Sequence, residues 1–451
     1  MKKIISALVL IMLLNSVLFA QDITGVWYGV LKTQGLEFPI GFSIEKEGEQ
    51  YSAAMSVPKQ NMKDAPVKTT TFSNDTLTFE IPRLTIIYKG VVDKNGTIKG
   101  KFTQFGQEYI LDLGREKTFK DVKRPQEPKP PYPYISEDIK FKNESANINL
   151  AGTITIPEGR GKYPAVVLVS GSGSQDRNEE VLDHRPFLVL SDYLTRNGIA
   201  VLRYDDRGFA ESEGDAYTST TADFATDALA GVHYLQSRKE VNPKRVGIIG
   251  HSEGGIIAFM LAAKEKDVAF VISMAGSAIR GDSIFILQNE IGGRGHGMTE
   301  EALLMARSIN RSTYDVVLNA DSKEEIEEKL TEMFGTSDRA KARIEQMSNN
   351  WMRFFLKYDP SVDIQNIHIP VFAMFGSKDY QVPADPNAES FNAYIPASNK
   401  NAGVKIYANK NHLFQNAVTG MFNEYQEIEE TMSPEVLQDI VDWIKMINRN
   451  L

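Results

Sequence analysis

The ten residues Val246-Gly247-Ile248-Ile249-Gly250-His251-Ser252-Glu253-Gly254-Gly255 constrain this chain more than any other stretch. An apolar run ends in Gly-His-Ser-Glu-Gly, and a second apolar run, residues 256–263, follows at once. The pattern predicts a buried strand, a sharp turn and a buried helix. In that setting Gly-x-Ser-x-Gly is a nucleophile elbow. The turn forces the serine into a strained conformation, so its hydroxyl stands clear of the sheet. Glycines are required at 250 and 254 because a Cβ there would meet the crossing strand and helix. Ser252 then opens the helix, and the Glu253 amide faces any negative charge developing beside the serine.

The rest of the chain divides by composition. It has 451 residues, 42% of them hydrophobic, ample for two domains and a large core. A net charge of −9 and a pI near 5.4, with no basic run, argue against a nucleic-acid partner. Met1-Lys2-Lys3 followed by apolar residues 4–14 and a small residue at Ala20 describes a secretory signal peptide over 1–20. The apolar run is short for a bilayer span. We therefore expect a periplasmic or secreted protein with no stable membrane insertion after cleavage. Leu18 at the −3 position is larger than usual for such a site. The absence of cysteine excludes disulfides, a lipidated cysteine and thiolate chemistry.

Residues 21–114 alternate short runs rich in Val, Ile, Thr, Tyr and Phe with turn clusters at 46–49, 73–75, 93–96 and 104–106. This predicts an antiparallel β-domain, barrel or sandwich, of about seven or eight strands. Asn95-Gly96 signals a type I′ hairpin. Trp27 is read as a core plug, with a ligand cavity as the alternative. The domain holds no histidine, so acid–base chemistry near neutral pH belongs elsewhere. Residues 115–134 are charged and contain five prolines from Pro125 to Pro133, which predicts an extended linker.

From 135 to 451 strands and helices alternate, as in a mostly parallel sheet with helices on both faces. Strands are predicted at 165–170, 199–204, 246–250, 269–274, 371–375 and 404–408, after an antiparallel pair at 139–143 and 147–156. Helices are predicted at 187–196, 221–235 and 433–448. Residues 276–365 break the alternation and read as a helical cap, with Ile326, Leu330, Met333 and Phe334 along one face of a charged helix.

A serine nucleophile needs a base, and the base an orienting carboxylate. In a sheet of this kind the chain order is serine, acid, histidine. Of the histidines after Ser252, His296 falls in the cap and His368 precedes a strand. His412 alone follows a late strand in a loop. Asp379 lies just past the strand at 371–375, and Asp385 is its rival. The loop 171–174, Gly-Ser-Gly-Ser, follows the first parallel strand and offers the Ser172 amide as second oxyanion donor, unless its serines only form the turn. Asp205, Asp206 and Arg207 are read as loop braces, with substrate contact as the alternative. The Glu253 carboxylate is expected in solvent or on an arginine. Acyl transfer of this type calls for no cofactor, and no metal-ligand spacing is present.

Residues 168–177, 202–208, 250–255 and 376–383 together resemble the α/β-hydrolase superfamily, and most closely the two-domain bacterial esterases of the EstD type, related to serine aminopeptidase-like hydrolases. The resemblance covers about 136–451. It implies an α/β-hydrolase fold with a cap, preceded by an all-β domain, and a carboxylesterase acting on short acyl esters of small molecules. By position Ser252, Asp379 and His412 match the family's triad. Ala210 stands where that family often has glycine. Two other readings remain at this stage. One is a peptidase that would hold a substrate amine on Glu324, Glu325, Glu327 and Glu328. The other is a glycan- or lipid-binding protein with a vestigial hydrolase fold.

Overall fold

A computed structural model describes residues 22–33, 36–57, 62–104, 106–117 and 122–449. The leader expected over 1–20 lies outside them. The chain divides into two compact units, Met1–Asp121 and Val122–Leu451.

The first unit has nine described strands, more than the seven or eight expected. Strands β1 (Gly25–Thr33), β2 (Leu36–Glu47), β3 (Gln50–Val57) and β4 (Met62–Pro66) form one antiparallel sheet. Strands β5 (Thr69–Ser73), β6 (Thr76–Ile81), β7 (Ile86–Val92), β8 (Ile98–Gln104) and β9 (Gln107–Ile110) form the other. The sheets meet at both edges. Tyr28 exchanges backbone hydrogen bonds of 2.8 Å with Gly114, and the Val67 amide donates to the Ala53 carbonyl at 2.9 Å.

Two details differ from the sequence reading. Asn74 and Asp75, joining β5 to β6, both have positive φ (47° and 56°), so the type I′ turn sits there. At Asn95-Gly96 only the glycine is left-handed, and the Asp93 carboxylate caps the amides of Asn95 and Thr97 in a longer loop. Trp27 is 2% exposed, donates its indole N–H to the Ile23 carbonyl at 2.7 Å, and carries the Arg115 guanidinium 3.8 Å from its ring centroid. It fills a core shared with Phe42, Phe79 and Tyr88.

The second unit is built on one eight-stranded sheet. Its strands are β10 (Tyr134–Asn143), β11 (Ile148–Pro157), β12 (Tyr163–Val169), β13 (Ala200–Tyr204), β14 (Val241–His251), β15 (Val271–Met274), β16 (Val371–Gly376) and β17 (Ala402–Tyr407). The spatial order is β10-β11-β13-β12-β14-β15-β16-β17. The leading pair and its junction to β13 are antiparallel and every other pairing is parallel. Period-two alternation splits the core into two layers. Val167 and Val169 of β12 pack with α2 (Thr221–Ser237) and α3 (Glu253–Lys264). Val166 and Leu168 pack on the other face with α1 (Pro186–Arg196) and α12 (Pro434–Asn448). The order of connection reverses between β12 and β14, which opens a crevice at their carboxyl ends.

Six helices separate β15 from β16: α4 (Gly281–Gly295), α5 (Glu300–Asn319), α6 (Lys323–Phe334), α7 (Asp338–Ser348), α8 (Asn350–Lys357) and α9 (Pro360–Ile364). Side-chain hydroxyl or amide caps start α5 to α8, from Thr299, Ser322, Ser337 and Asn349. On α6 Ile326 and Leu330 are fully buried, whereas Met333 points outward at 43% exposure, so the apolar face is narrower than its spacing suggested. In the proline-rich segment, Arg124 donates to the carbonyls of Leu182, Asp183, Gln426 and Ile428, which fastens it to the α/β unit.

Candidate active site

Ser252 has φ 53° and ψ −114° at the start of α3. This left-handed backbone is costly for a residue with a Cβ, of the order of 1–3 kcal/mol, and is a feature of reactive sites. The neighbouring glycines permit it. A Cβ on Gly250 would overlap the carbonyl of Gly254 in α3, and one on Gly254 would overlap the carbonyl of Val169 in β12. The Ser252 amide is anchored to the Met274 carbonyl at 2.8 Å.

The remaining groups come from other strand ends. Asp379 follows β16 and is 4% exposed; His412 follows β17 and is 5% exposed. His412 Nδ1 lies 2.7 Å from Asp379 Oδ2. The other carboxylate oxygen accepts the amides of Gln381 (2.8 Å) and Val382 (2.9 Å), so Asp379 is fixed in orientation. Asp385 is exposed in the first turn of α10 (Ala384–Tyr394), and His296 and His368 are exposed as well. Ser252 and His412 line one cavity of about 310 Å³, together with Ser172 and Glu253. Its cap-side wall is Ile284 and Phe285 of α4 with Trp351 and Phe355 of α8.

Amides are available where negative charge would develop. Glu253 is the first residue of α3, a position whose N–H has no acceptor within the helix. The Gly171 amide is taken by Glu179 Oε1 at 2.8 Å, which leaves Ser172 as the next donor on that loop. The Glu253 carboxylate differs from expectation. It is neither in solvent nor on an arginine. It is buried, and one oxygen accepts from Thr221 Oγ1 (2.6 Å) and Trp351 Nε1 (2.7 Å). Burial pushes this carboxyl up, against hydrogen bonds from Thr221, Trp351 and Ser172. The elbow is thereby tied to cap helix α8.

The charged run after β13 braces the loops. Arg177 pairs with Asp205 at 2.7 Å and Arg207 pairs with Asp227 at 2.6 Å. Asp206 accepts from Ser170 Oγ (2.7 Å) and the Gln175 amide (2.8 Å), holding both ends of the 171–174 loop. Ala210 adopts φ 45°, the region that favours glycine, in keeping with the glycine of the related pattern.

Sequence reasoning missed a second histidine–carboxylate pair. His251 lies within the elbow motif, but a strand-end histidine gives no sign of its partner. That partner, Glu179, comes from the loop before α1 and has no spacing relation to it. Its Oε1 sits 2.8 Å from His251 Nδ1, and His251 Nε2 sits 2.9 Å from the His412 carbonyl.

Sheet order, elbow and strand-end residues define a serine-type α/β-hydrolase. The profile of the family described as "Serine aminopeptidase, S33" matches residues 185–417, and the chain belongs to that family. It is an EstD-like α/β-hydrolase: Esterase EstD of Thermotoga maritima is 28% identical over 275 residues, 60% of each chain. Putative hydrolase YtaP of Bacillus subtilis is 31% identical over 130 residues, 25% of this chain and 44% of that one. The 2,6-dihydropseudooxynicotine hydrolase of Paenarthrobacter nicotinovorans is 29% identical over 123 residues, 27% and 31% of the two. The chain thus spans less than two thirds of the length of each relative.

Proposed function

We propose that this hydrolase is a carboxylesterase acting on small, short-acyl esters. The observation that carries the reading is the convergence of Ser252 and the Asp379–His412 pair on one cavity. His412 Nε2 takes the Ser252 proton as Oγ attacks the ester carbonyl. Asp379 holds the ring and stabilises the imidazolium. The Glu253 and Ser172 amides receive the oxyanion. The carbonyl re-forms as the C–O bond breaks, and the imidazolium returns its proton to the leaving alcohol. A water then attacks the acyl-serine with the same base, releasing the acid and free Ser252.

The wall supports an apolar acyl or alcohol group, since Ile256, Ile284, Phe285, Trp351 and Phe355 face the cavity. An aminopeptidase would need a carboxylate free to hold an amine. Glu325 is instead paired with Lys329 at 2.6 Å on α6, Glu327 lies 3.6 Å from Lys323, and none of Glu324, Glu325, Glu327 and Glu328 borders the cavity. The esterase name of the EstD relative points the same way. A pure binding role leaves the strained Ser252 backbone without a purpose.

The test is a fluorophosphonate label, then turnover on a panel of p-nitrophenyl esters and aminoacyl anilides. We expect labelling at Ser252 and ester turnover without anilide turnover. Anilide turnover alone would replace this reading with the peptidase.

A further inference from the structure

His251 has contacts that a neutral imidazole cannot make beside a carboxylate. Its Nδ1 faces the Glu179 carboxylate at 2.8 Å and its Nε2 faces the His412 backbone carbonyl at 2.9 Å. Both partners are acceptors. A neutral ring carries one N–H, so one of these contacts would set lone pair against lone pair. A neutral ring would meet both only with the proton moved to Glu179 Oε1, but that oxygen already accepts the Gly171 amide at 2.8 Å, as a carboxylate does, which favours the proton on the ring.

We propose, resting on the esterase reading, that His251 is a positioning residue held as a cation, which with Glu179 locks the base loop to the oxyanion loop. The bridge is continuous. The Gly171 amide donates to Glu179 Oε1, the same oxygen accepts from His251 Nδ1–H, and His251 Nε2–H donates to the carbonyl of His412. One chain of hydrogen bonds therefore sets the residue before Ser172 and the backbone of the catalytic base.

Independent features agree. Glu179 is 3% exposed and sits at φ 53°, an unfavourable conformation that delivers its carboxylate to this point. Burial alone would push the His251 imidazole down; Glu179, the His412 carbonyl and Asp379 together raise it above the ordinary histidine value. The charged or titratable groups around it are Glu179 from the β12–α1 loop, the His412 ring at 4.7 Å between centroids, and Asp379 beyond it. Tyr425, which also lines the cavity, is held neutral by burial.

The experiment is nitrogen-15 NMR of ring-labelled histidines between about pH 5 and 8, with kinetics of Glu179→Gln and His251→Gln. We expect both His251 nitrogens to stay protonated throughout. In Glu179→Gln, His251 should lose one proton within that range. In both variants kcat should fall about ten- to a hundredfold with little change in KM, because misplaced groups slow the chemical step. A bare nitrogen on wild-type His251 near neutral pH would overturn the proposal, and this reading does not depend on any variant folding. So would folded variants with unchanged kcat. The rate of fluorophosphonate labelling reports Ser252 reactivity whatever the substrate. A chain that labels fast, slows in both variants and cleaves no ester would sink the esterase reading and leave the bridge standing.

Discussion

The two units bury different things. In the described part of the first, every buried side chain is hydrophobic in class, and its centre is a stack of rings: Phe42 on Phe79 at 4.5 Å, with Tyr88 at 5.7 Å from both. Gly90 and Gly100 exist to make room for Tyr88, since a Cβ at either would strike its ring. In the second unit Glu179, Arg203, Asp205, Arg207, Glu253 and Asp379 are all buried, and most sit at the carboxyl ends of the strands. Burying charge is expensive unless each group finds partners. A unit that carries this load in one place has accepted instability there to aim particular atoms. The ring-filled unit shows no such concentration.

The sharpest way to test this contrast is to remove the chemistry and ask whether stability notices. Ser252→Ala should lower kcat on an ester by about three or more orders of magnitude, and Ser252→Ala/His412→Ala should be almost equally inactive, because the groups act as one unit. Asp379→Asn should lose less. The Tm of Ser252→Ala should not fall, since the Ser252 hydroxyl makes no capping hydrogen bond to α3. A folded Ser252→Ala with most of its activity would remove the serine from the reaction. Loss confined to Asp385→Asn would move the acid.

The opposite substitution works on the ring-filled unit. Phe79 is fully buried, and Phe79→Ala should destabilise that unit by about 3–5 kcal/mol. Hydrogen exchange in β6, β7 and β8 should accelerate by roughly two to four orders of magnitude, the same free energy read as an opening constant. Ester turnover should change little, since this unit has no histidine. A parallel collapse of kcat would show that the two units do not divide stability and chemistry as their cores suggest.

The elbow, the alternation of strands and helices, and the places of Asp379 and His412 after late strands were legible because each is written locally. A glycine pair brackets a serine, and an acid or histidine follows an apolar run. The S33 family match bears on the fold and the hydrolase class. What sequence could not give was pairing between distant loops. Glu179 meets His251 from 72 positions away, and Trp351 reaches Glu253 from 98. Glu253 was expected in solvent or on an arginine; tertiary packing of α8 over the elbow buries it instead. The turn at Asn95-Gly96 was misjudged for a similar reason, since the Asp93 side chain outcompeted the two-residue loop.

The smallest predicted effect lies between the two kinds of core, at Asp206. Burial pushes its carboxyl up to about 8 from 3.8, opposed by hydrogen bonds from Ser170 and the Gln175 amide and aided by the charges of Glu179 and Glu253. The folded chain therefore holds a proton that the unfolded chain releases near the ordinary carboxylate range. Between those values the native state binds more protons than the unfolded one, so its stability falls as pH rises through that window. The residue keeps some exposure, and water access reduces the size of the effect. Thermal unfolding of wild type and Asp206→Asn across the window measures it. The wild-type Tm should decline more steeply with pH than that of the variant. Parallel slopes would mean that Asp206 is ionised throughout, stabilised by its two donors despite the neighbouring carboxylates, and that the oxyanion loop is held by charge rather than by a shared proton.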